Sequence, residues 1–116
     1  MCTVLIVDDH ESFRTTARAL LEADGFNVVG EAGDGESALA EAMRLRPALV
    51  LLDIQLPDSD GFKVAQQLGE TSDPPAIVLT SSRAESSYRR RLAQSPARGF
   101  IAKGELSGEA LAALLA

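Results

Sequence analysis

The amino-acid sequence predicts a three-layer α/β sandwich, in which one parallel β-sheet lies between two layers of helices. The first observation is that five short apolar runs alternate with longer amphipathic stretches along the 116 residues. The second is that three of these runs are apolar almost throughout, which is typical of strands buried on both faces of a parallel sheet. A helix between successive strands implies parallel pairing and right-handed crossovers. We therefore expect five strands and five helices in strict alternation.

The apolar runs define the predicted strands, at residues 3–7, 27–32, 48–52, 76–79 and 99–102. The first, third and fourth are the wholly apolar runs, so they belong at the centre of the sheet. The second and fifth are weaker, as expected of edge strands. This arrangement gives the strand order 2-1-3-4-5 of a flavodoxin-like sheet.

Each strand is followed by a stretch whose apolar residues recur at helical spacing. In the first stretch the apolar face consists of Phe13, Ala17, Leu20 and Leu21. The fourth has a thin apolar face, made of Ala84, Tyr88 and Leu92. The predicted ends of the first four helices are marked by Gly25, Pro47, Pro74 and Pro96, and Ser107 is predicted to cap the start of the fifth.

Composition and charge exclude several classes of protein. Asp and Glu outnumber Lys and Arg by 17 to 11, a net charge of −6, which disfavours binding of nucleic acid or anionic membrane by this chain alone. The single cysteine, Cys2, excludes an internal disulfide framework and a cysteine-based structural zinc site. No apolar run approaches the length of a membrane span, and no basic segment precedes an apolar one at the N-terminus. We expect one soluble, cytoplasmic domain over residues 1–116.

Polar and charged residues stand where the predicted strands end. Asp8 and Asp9 follow strand 1, Asp53 follows strand 3, strand 4 ends on Thr80, and Lys103 follows strand 5. In an open parallel sheet, ligands bind beyond the carboxyl ends of the strands, so these groups are predicted to converge. Crowded carboxylates repel one another, and a hard divalent cation such as Mg²⁺ relieves the repulsion. A carboxylate beside Mg²⁺ can attack phosphorus, while an ammonium and a hydroxyl neutralise phosphoryl oxygens.

Less specific interpretations exist for each residue taken alone. An aspartate after a strand is commonly a turn residue or a helix N-cap, and a lone lysine is normally solvated. Only the joint placement at four strand ends favours a site. The same reasoning assigns His10 to the solvent-facing start of helix 1, Asp58 and Asp60 to an exposed turn, and residues 89–91, a run of three arginines, to a solvated helix face.

Four segments, in this order, resemble the receiver domain of two-component response regulators over essentially the whole chain. The sharpest is residues 49–62, where an apolar strand is followed by Asp53, then by Pro57 and Gly61 at the offsets typical of that family. The other segments are residues 5–10, 77–80 and 99–103. Details at residues 8–10, 29–32 and 103–104 look closest to the subfamily with DNA-binding outputs of the LuxR helix-turn-helix type.

The resemblance implies a role for each site residue. Asp53 would accept a phosphoryl group from the phosphohistidine of a sensor histidine kinase. Asp9, Asp53 and the backbone carbonyl of Gln55 would bind Mg²⁺, with Asp8 acting through a coordinated water or weakly. Thr80 and Lys103 would contact the phosphoryl group.

Phe100 would be the family's switching aromatic residue, which turns inward as Thr80 moves. The alternative for Phe100 is a half-buried aromatic on an edge strand. The sequence departs from many receivers at Gly104, where they have proline after a cis peptide bond. A cis bond before a non-proline residue is costly, so we expect a trans peptide there.

The predicted function is a phosphorylation-controlled switch rather than an enzyme. Phosphorylation would change the surface of helix 4, strand 5 and helix 5 and so control an output domain, through which alone DNA would be contacted. We expect a histidine kinase partner and homodimer formation on phosphorylation, and a chain that is part of a longer regulator. A stand-alone receiver, or a degenerate one that acts by protein–protein binding without phosphorylation, is the alternative. A flavodoxin-like FMN protein would need a phosphate-binding loop rich in Gly, Ser or Thr after strand 1, where this chain has acidic residues.

Overall fold

The computed structural model describes residues 2–116 and contains a five-stranded parallel sheet in the order β2-β1-β3-β4-β5. The strands are β1 (Thr3–Val7), β2 (Asn27–Ala32), β3 (Leu49–Asp53), β4 (Ala76–Ser81) and β5 (Gly99–Ala102). The helices are α1 (Glu11–Ala23), α2 (Gly35–Leu45), α3 (Gly61–Gly69), α4 (Arg89–Ala93) and α5 (Gly108–Leu115). The predicted sandwich and strand order are confirmed.

Two hydrophobic layers, one on each face of the sheet, explain why the central strands are apolar throughout. Side chains alternate between the two faces along a strand. In β1, Val4 and Ile6 pack with residues of α1 and α5, whereas Leu5 and Val7 pack with residues of α2 and α3. Every residue of β3 is buried. The central strands are thereby fixed from both sides, and with them the positions of their carboxyl ends.

Helix ends follow the predicted signals. α1 ends at Ala23, and the chain turns at Gly25, whose φ of +92° belongs to the left-handed region that favours glycine. The Ser107 hydroxyl accepts a hydrogen bond from the Ala110 N–H at 3.0 Å, which confirms the predicted cap of α5. Among the residues described, no helix has both the length and the apolar character needed to cross a bilayer.

The fourth helical stretch differs from its prediction. A 3₁₀ turn over Glu85–Tyr88 precedes α4, which has only five residues, and neither segment contains a buried residue. The apolar face of this stretch is too thin to hold a regular helix against the sheet, because helices in proteins owe most of their stability to packing. This segment is the least firmly packed of the layer that contains α2 and α3.

The ends of β3 and β4 lie one and two residues beyond the predicted positions. β3 includes Asp53 and β4 continues through Thr80 to Ser81, because the backbone ladder pairs Asp53 with Thr80 and Ser81 with Ala102. Asp53 is therefore the last residue of β3 rather than the first residue of a loop, and Thr80 lies one residue before the end of β4. The Lys103–Gly104 peptide is trans, as predicted.

Candidate functional site

The carboxyl ends of the central strands bring four of the predicted residues together. Asp8 directly follows β1 and continues its ladder, since its N–H donates to the Ala32 carbonyl at 3.0 Å. Asp53 closes β3, Thr80 pairs with it in the neighbouring strand, and Lys103 directly follows β5. Partners in register on adjacent parallel strands point to the same face of a sheet, so the side chains of Asp53 and Thr80 face the same side.

The carboxylates of Asp8 and Asp53 are buried, with 0% and 2% of each residue exposed. One cation serves both of them. The Lys103 Nζ atom lies 2.6 Å from Asp8 Oδ2 and 3.4 Å from Asp53 Oδ2, and 4.7 Å from the centre of the Phe13 ring. Burial lowers the pKa of Lys103, but its contacts with Asp8 and Asp53 outweigh burial and raise that pKa above its ordinary value. Lys103 is therefore a fully charged counter-ion, and the buried group still holds more negative than positive charge.

Among these carboxylates, the excess of negative charge is seen in the pKa of Asp53. Burial, and then the charge of Asp8, raise the pKa of Asp53 to about 6, although the Gln55 N–H and Lys103 both favour its ionised form. The Gln55 N–H donates to Asp53 Oδ1 at 3.2 Å. Asp53 is thus ionised at neutral pH at a cost in free energy, and its contacts with the Gln55 N–H and Lys103 fix its orientation.

Two buried oxygen atoms at the site have no hydrogen bond: Thr80 Oγ1 and Asp8 Oδ2. The contact of Asp8 Oδ2 with Lys103 is an ion pair that lacks hydrogen-bond geometry. Thr80 itself is completely buried. Asp8 Oδ2 therefore has an ionic partner, whereas Thr80 Oγ1 has none. A buried polar atom without a partner costs free energy, so Thr80 Oγ1 marks a place where a ligand is expected.

The oxygen atoms at this edge fit a hard divalent cation. Asp8, Asp9 and Asp53 each offer a carboxylate oxygen, and these atoms lie within 4.8 Å of one another together with a ring nitrogen of His10. Asp9 lies at the rim, where its side chain is 35% exposed. Mg²⁺ prefers one or two carboxylates together with waters and phosphate oxygens. Ligation by the Gln55 carbonyl stays a prediction; Gln55 is held near Asp53 by its bridge with Asp60.

His10 also belongs to this cluster, although the sequence favoured a solvent-facing residue over a site role for it. Its side chain is 66% exposed at the start of α1, as expected. Its Nδ1 atom nevertheless lies 3.1 Å from Asp8 Oδ1 and 3.0 Å from Asp9 Oδ1. The backbone N–H of His10 also donates to Asp8 Oδ1 at 2.8 Å. The signal available in the sequence was the adjacency of a metal-ligating residue type to the acidic pair.

The loop after β3 holds Asp53 by close backbone contact. The Gly61 N–H donates to the Ile54 carbonyl at 2.7 Å, and a Cβ atom at Gly61 would overlap the Asp53 carbonyl oxygen. Glycine is therefore required there by the close approach of two backbone segments.

Asp58 and Asp60 lie in the loop after β3, where Asp58 is exposed and Asp60 partly exposed, as predicted, but each also holds the start of a helix. Asp58 accepts hydrogen bonds from the backbone N–H groups of Gly35 and Glu36, at 2.8 and 3.1 Å, and so joins the loop to the start of α2. Asp60 caps α3 through the Lys63 N–H at 2.9 Å. It also accepts a hydrogen bond from Arg91 at 3.0 Å, so one of the three consecutive arginines is paired rather than simply solvated.

An aromatic row connects this loop with β5. The Tyr88 ring lies between Phe62 and Phe100, at centroid distances of 5.9 and 6.1 Å. The Tyr88 hydroxyl hydrogen-bonds the buried Ser81 Oγ at 3.1 Å, one residue from Thr80. Phe100 is half-buried on the edge strand, and its inward turn on phosphorylation stays a prediction. Tyr88 and Ser81 were missed because a contact across seven residues and two elements leaves no periodic signal.

Comparisons with known proteins agree with this geometry. The family described as "Response regulator receiver domain" matches residues 4–115. Response regulator GacA of Pseudomonas protegens is 36% identical over 105 residues, which are 90% of this chain and 49% of GacA. BvgA of Bordetella pertussis, named as a transcription regulator of virulence factors, is 38% identical over 102 residues, 88% of this chain and 49% of BvgA. The solved signal receiver domain of NarL from Mycobacterium tuberculosis has a TM-score of 0.86 at 32% identity, over 98% of this chain and 96% of that one.

The chain belongs to the receiver domain family of response regulators, which are signalling proteins of two-component systems. The family match covers nearly all of the residues that the structure describes. The chain spans about half the length of the curated relatives it matches.

The raised pKa of Asp53 predicts how stability depends on pH. The folded state binds a proton at Asp53 with a pKa of about 6, whereas an unfolded aspartate has a pKa of about 3.9. The contribution of Asp53 to stability is therefore fully present below about pH 4 and lost as pH rises through about 6, at most about 3 kcal/mol. In metal-free buffer at pH 8, Asp53→Asn should raise the free energy of unfolding by about 2 kcal/mol.

Urea unfolding in EDTA at pH 5 and pH 8 measures this effect. Asp73→Asn is the matched control, because it removes the same charge from an exposed position. An Asp53→Asn chain no more stable than the wild type at pH 8 would contradict the electrostatic account of the site.

Because the buried Thr80 hydroxyl has no hydrogen-bond partner, its removal is predicted to stabilise the folded state. Thr80→Val replaces a buried hydroxyl without a hydrogen bond by a methyl group of similar size, so the free energy of unfolding should rise by about 1 kcal/mol. Ser81→Ala is the matched control one residue away. The Ser81 hydroxyl has two partners, Tyr88 and the Arg83 N–H, each at 3.1 Å. Its loss should lower the free energy of unfolding by about 1 kcal/mol. Equal destabilisation by both substitutions would show that Thr80 Oγ1 is satisfied.

Proposed function

We propose that this chain is a phosphorylation-controlled signalling switch in which Asp53 accepts a phosphoryl group from the phosphohistidine of a sensor histidine kinase. The observation that carries the proposal is the setting of Asp53. It is a buried carboxylate with a raised pKa, its side chain lies on the same face of the sheet as that of Thr80, and Lys103 is beside it. An Asp53 oxygen attacks the phosphorus atom and forms an O–P bond. The N–P bond of the phosphohistidine breaks, and its electron pair leaves with the imidazole nitrogen.

Other residues of the site neutralise the negative charge of the phosphoryl group. Lys103 is held by Asp8 and Asp53 and supplies a positive charge to a phosphoryl oxygen. Thr80 supplies a hydroxyl that has no other partner. Asp8, Asp9, Asp53 and the Gln55 carbonyl would hold Mg²⁺, which neutralises negative charge on the phosphoryl oxygens.

The output of the switch is proposed to be the face formed by α4, β5 and α5. α4 and the 3₁₀ turn before it contain no buried residue, so the α4 part of this face is loosely packed and can rearrange. Thr80 and Phe100 are the proposed switch residues. Tyr88 connects them, because its hydroxyl hydrogen-bonds Ser81, the neighbour of Thr80, and its ring packs near that of Phe100. A hydrogen bond from Thr80 to a phosphoryl oxygen would move the end of β4 and disturb this row of contacts.

The partners are proposed from the relatives and from the charge of the chain. GacA and BvgA are about twice as long as this chain, and BvgA is named as a transcription regulator. We therefore assign a DNA-binding output domain, with homodimer formation on phosphorylation, to the whole regulator. The net charge of −6 leaves DNA contact to that output domain. A degenerate receiver is not favoured, because each residue that the chemistry needs stands at the site.

If Asp53 is the phospho-acceptor, phosphorylation should increase the mass of the chain by one phosphoryl group. Incubation with acetyl phosphate and Mg²⁺ should add one phosphoryl group, about 80 Da, to the wild-type chain, and Asp53→Asn should abolish the gain. Asp58→Asn is the matched control, since Asp58 lies in the same loop but is committed to the start of α2. Intact-mass spectrometry measures all three. No gain in the wild type, or an equal gain in Asp53→Asn, would contradict the assignment of Asp53.

A further inference from the structure

Two arginines of α1 and a glutamate of β2 form a network to which the proposed function gives no role. Arg14 Nε lies 3.0 Å from Glu31 Oε1, and Arg18 Nε lies 2.8 Å from Glu31 Oε2. Burial raises the pKa of Glu31, but its hydrogen bonds with Arg18 and Arg14 outweigh burial and hold that pKa below its ordinary value. Glu31 is therefore an ionised anchor for both arginines.

Of these two arginines, Arg14 is the one that contacts the loop after β1, which carries predicted metal ligands. Arg14 Nη1 donates to the Asp8 carbonyl at 2.6 Å, whereas Arg18 Nη1 donates to the Val28 carbonyl of β2 at 3.3 Å. A guanidinium carries its donors in a rigid fork, so the pairing of Arg14 Nε with Glu31 also fixes the direction of Nη1. The Asp8 carbonyl is thus held from a position that β2 determines.

The carboxylate of Asp9 depends on this backbone contact for its position. The Asp8 carbonyl belongs to the peptide group that joins Asp8 to Asp9, and the Asp8 N–H on its other side is fixed to the Ala32 carbonyl at 3.0 Å. Among the residues described, the one ionic contact of the Asp9 side chain is with the exposed ring of His10. The orientation of the Asp8–Asp9 peptide therefore decides how far the Asp9 carboxylate stands from those of Asp8 and Asp53.

We propose that Arg14 is a positioning residue of the cation site, which fixes the Asp8–Asp9 peptide and so places the Asp9 carboxylate for Mg²⁺. The inference rests on the proposed function, since it concerns the same Mg²⁺ site. Removal of a group that orients a metal ligand commonly weakens metal binding by about 10- to 100-fold. The charge of Arg14 acts in the opposite direction, because a cation near the site repels Mg²⁺. Positioning and charge therefore predict effects of opposite sign.

Titration with Mg²⁺ alone, followed by backbone amide NMR, measures the Kd and shows in the same spectra whether each variant is folded. Arg14→Gln should raise the Kd for Mg²⁺ about tenfold, whereas loss of charge alone would lower it. Arg18→Gln is the matched control. It removes the same charge from the same helix and the other half of the Glu31 pairing, but no contact with Asp8. Its Kd should stay within about twofold of the wild type, because salt screens the charge of a partly exposed side chain.

Arg14→Lys gives a second test that keeps the positive charge and decides the matter if Arg14→Gln does not fold. Lysine has one nitrogen in place of the guanidinium fork, so it cannot hold Glu31 and the Asp8 carbonyl in the same fixed geometry. The Kd for Mg²⁺ should rise at least about threefold. Folded Arg14 variants that bind Mg²⁺ as tightly as the wild type or more tightly, or an equal loss of affinity in Arg18→Gln, would overturn the proposal.

The positioning role of Arg14 and the proposed function can fail separately. If the wild-type chain binds Mg²⁺ and gains a phosphoryl group at Asp53, but the Arg14 variants bind Mg²⁺ as the wild type does, only the role of Arg14 is overturned. A wild-type chain that does not bind Mg²⁺ would overturn the metal site itself and both proposals with it.

Discussion

The ammonium group of Lys103 is shared by two buried carboxylates, those of Asp8 and Asp53, and the imbalance of charge among these three groups governs the site. Two like charges about 4 Å apart repel by about 4 kcal/mol at an effective dielectric constant of 20. Burial removes the water that would otherwise screen them. The raised pKa of Asp53 is the result. Two buried carboxylates that share one ammonium group lower the stability of the fold. We therefore explain their presence by the ligands that the site can bind.

The buried central strands hold these charged groups in place, while the neighbouring α4 segment is packed loosely enough to move. β1 and β3 are buried between two hydrophobic layers, which fixes where Asp8 and Asp53 stand. The close approach of Gly61 to the Asp53 backbone holds the loop after β3. In contrast, α4 has no buried residue, and Tyr88, at the end of the 3₁₀ turn before it, hydrogen-bonds Ser81 at the end of β4. A rigid charged centre thus lies beside a loosely packed surface, which is what a switch requires.

The amino-acid sequence predicts the fold and most of the site because both depend on local patterns. Apolar runs without alternation place the central strands, and the residue at the end of each run places Asp8, Asp53, Thr80 and Lys103. Contacts between distant segments leave no such pattern. Asp58 caps a helix 23 residues earlier in the chain, and Tyr88 meets Ser81 only because the 3₁₀ turn brings it back over β4. The orientation of His10 depends on a side-chain rotation that adjacency in the sequence does not determine.

The most direct measurement is the free energy of unfolding as a function of Mg²⁺ concentration, at neutral pH and constant ionic strength. A cation that relieves the repulsion between Asp8 and Asp53 binds only the folded chain, so stability must rise with its concentration. The expected gain is about 1.4 kcal/mol at ten times the Kd. It should be smaller in Asp9→Asn and unchanged in Asp73→Asn, where the lost charge is exposed and away from the site. A stability that does not respond to Mg²⁺, or responds equally in Asp9→Asn, would contradict the account of this acidic edge as a metal-dependent phosphorylation site.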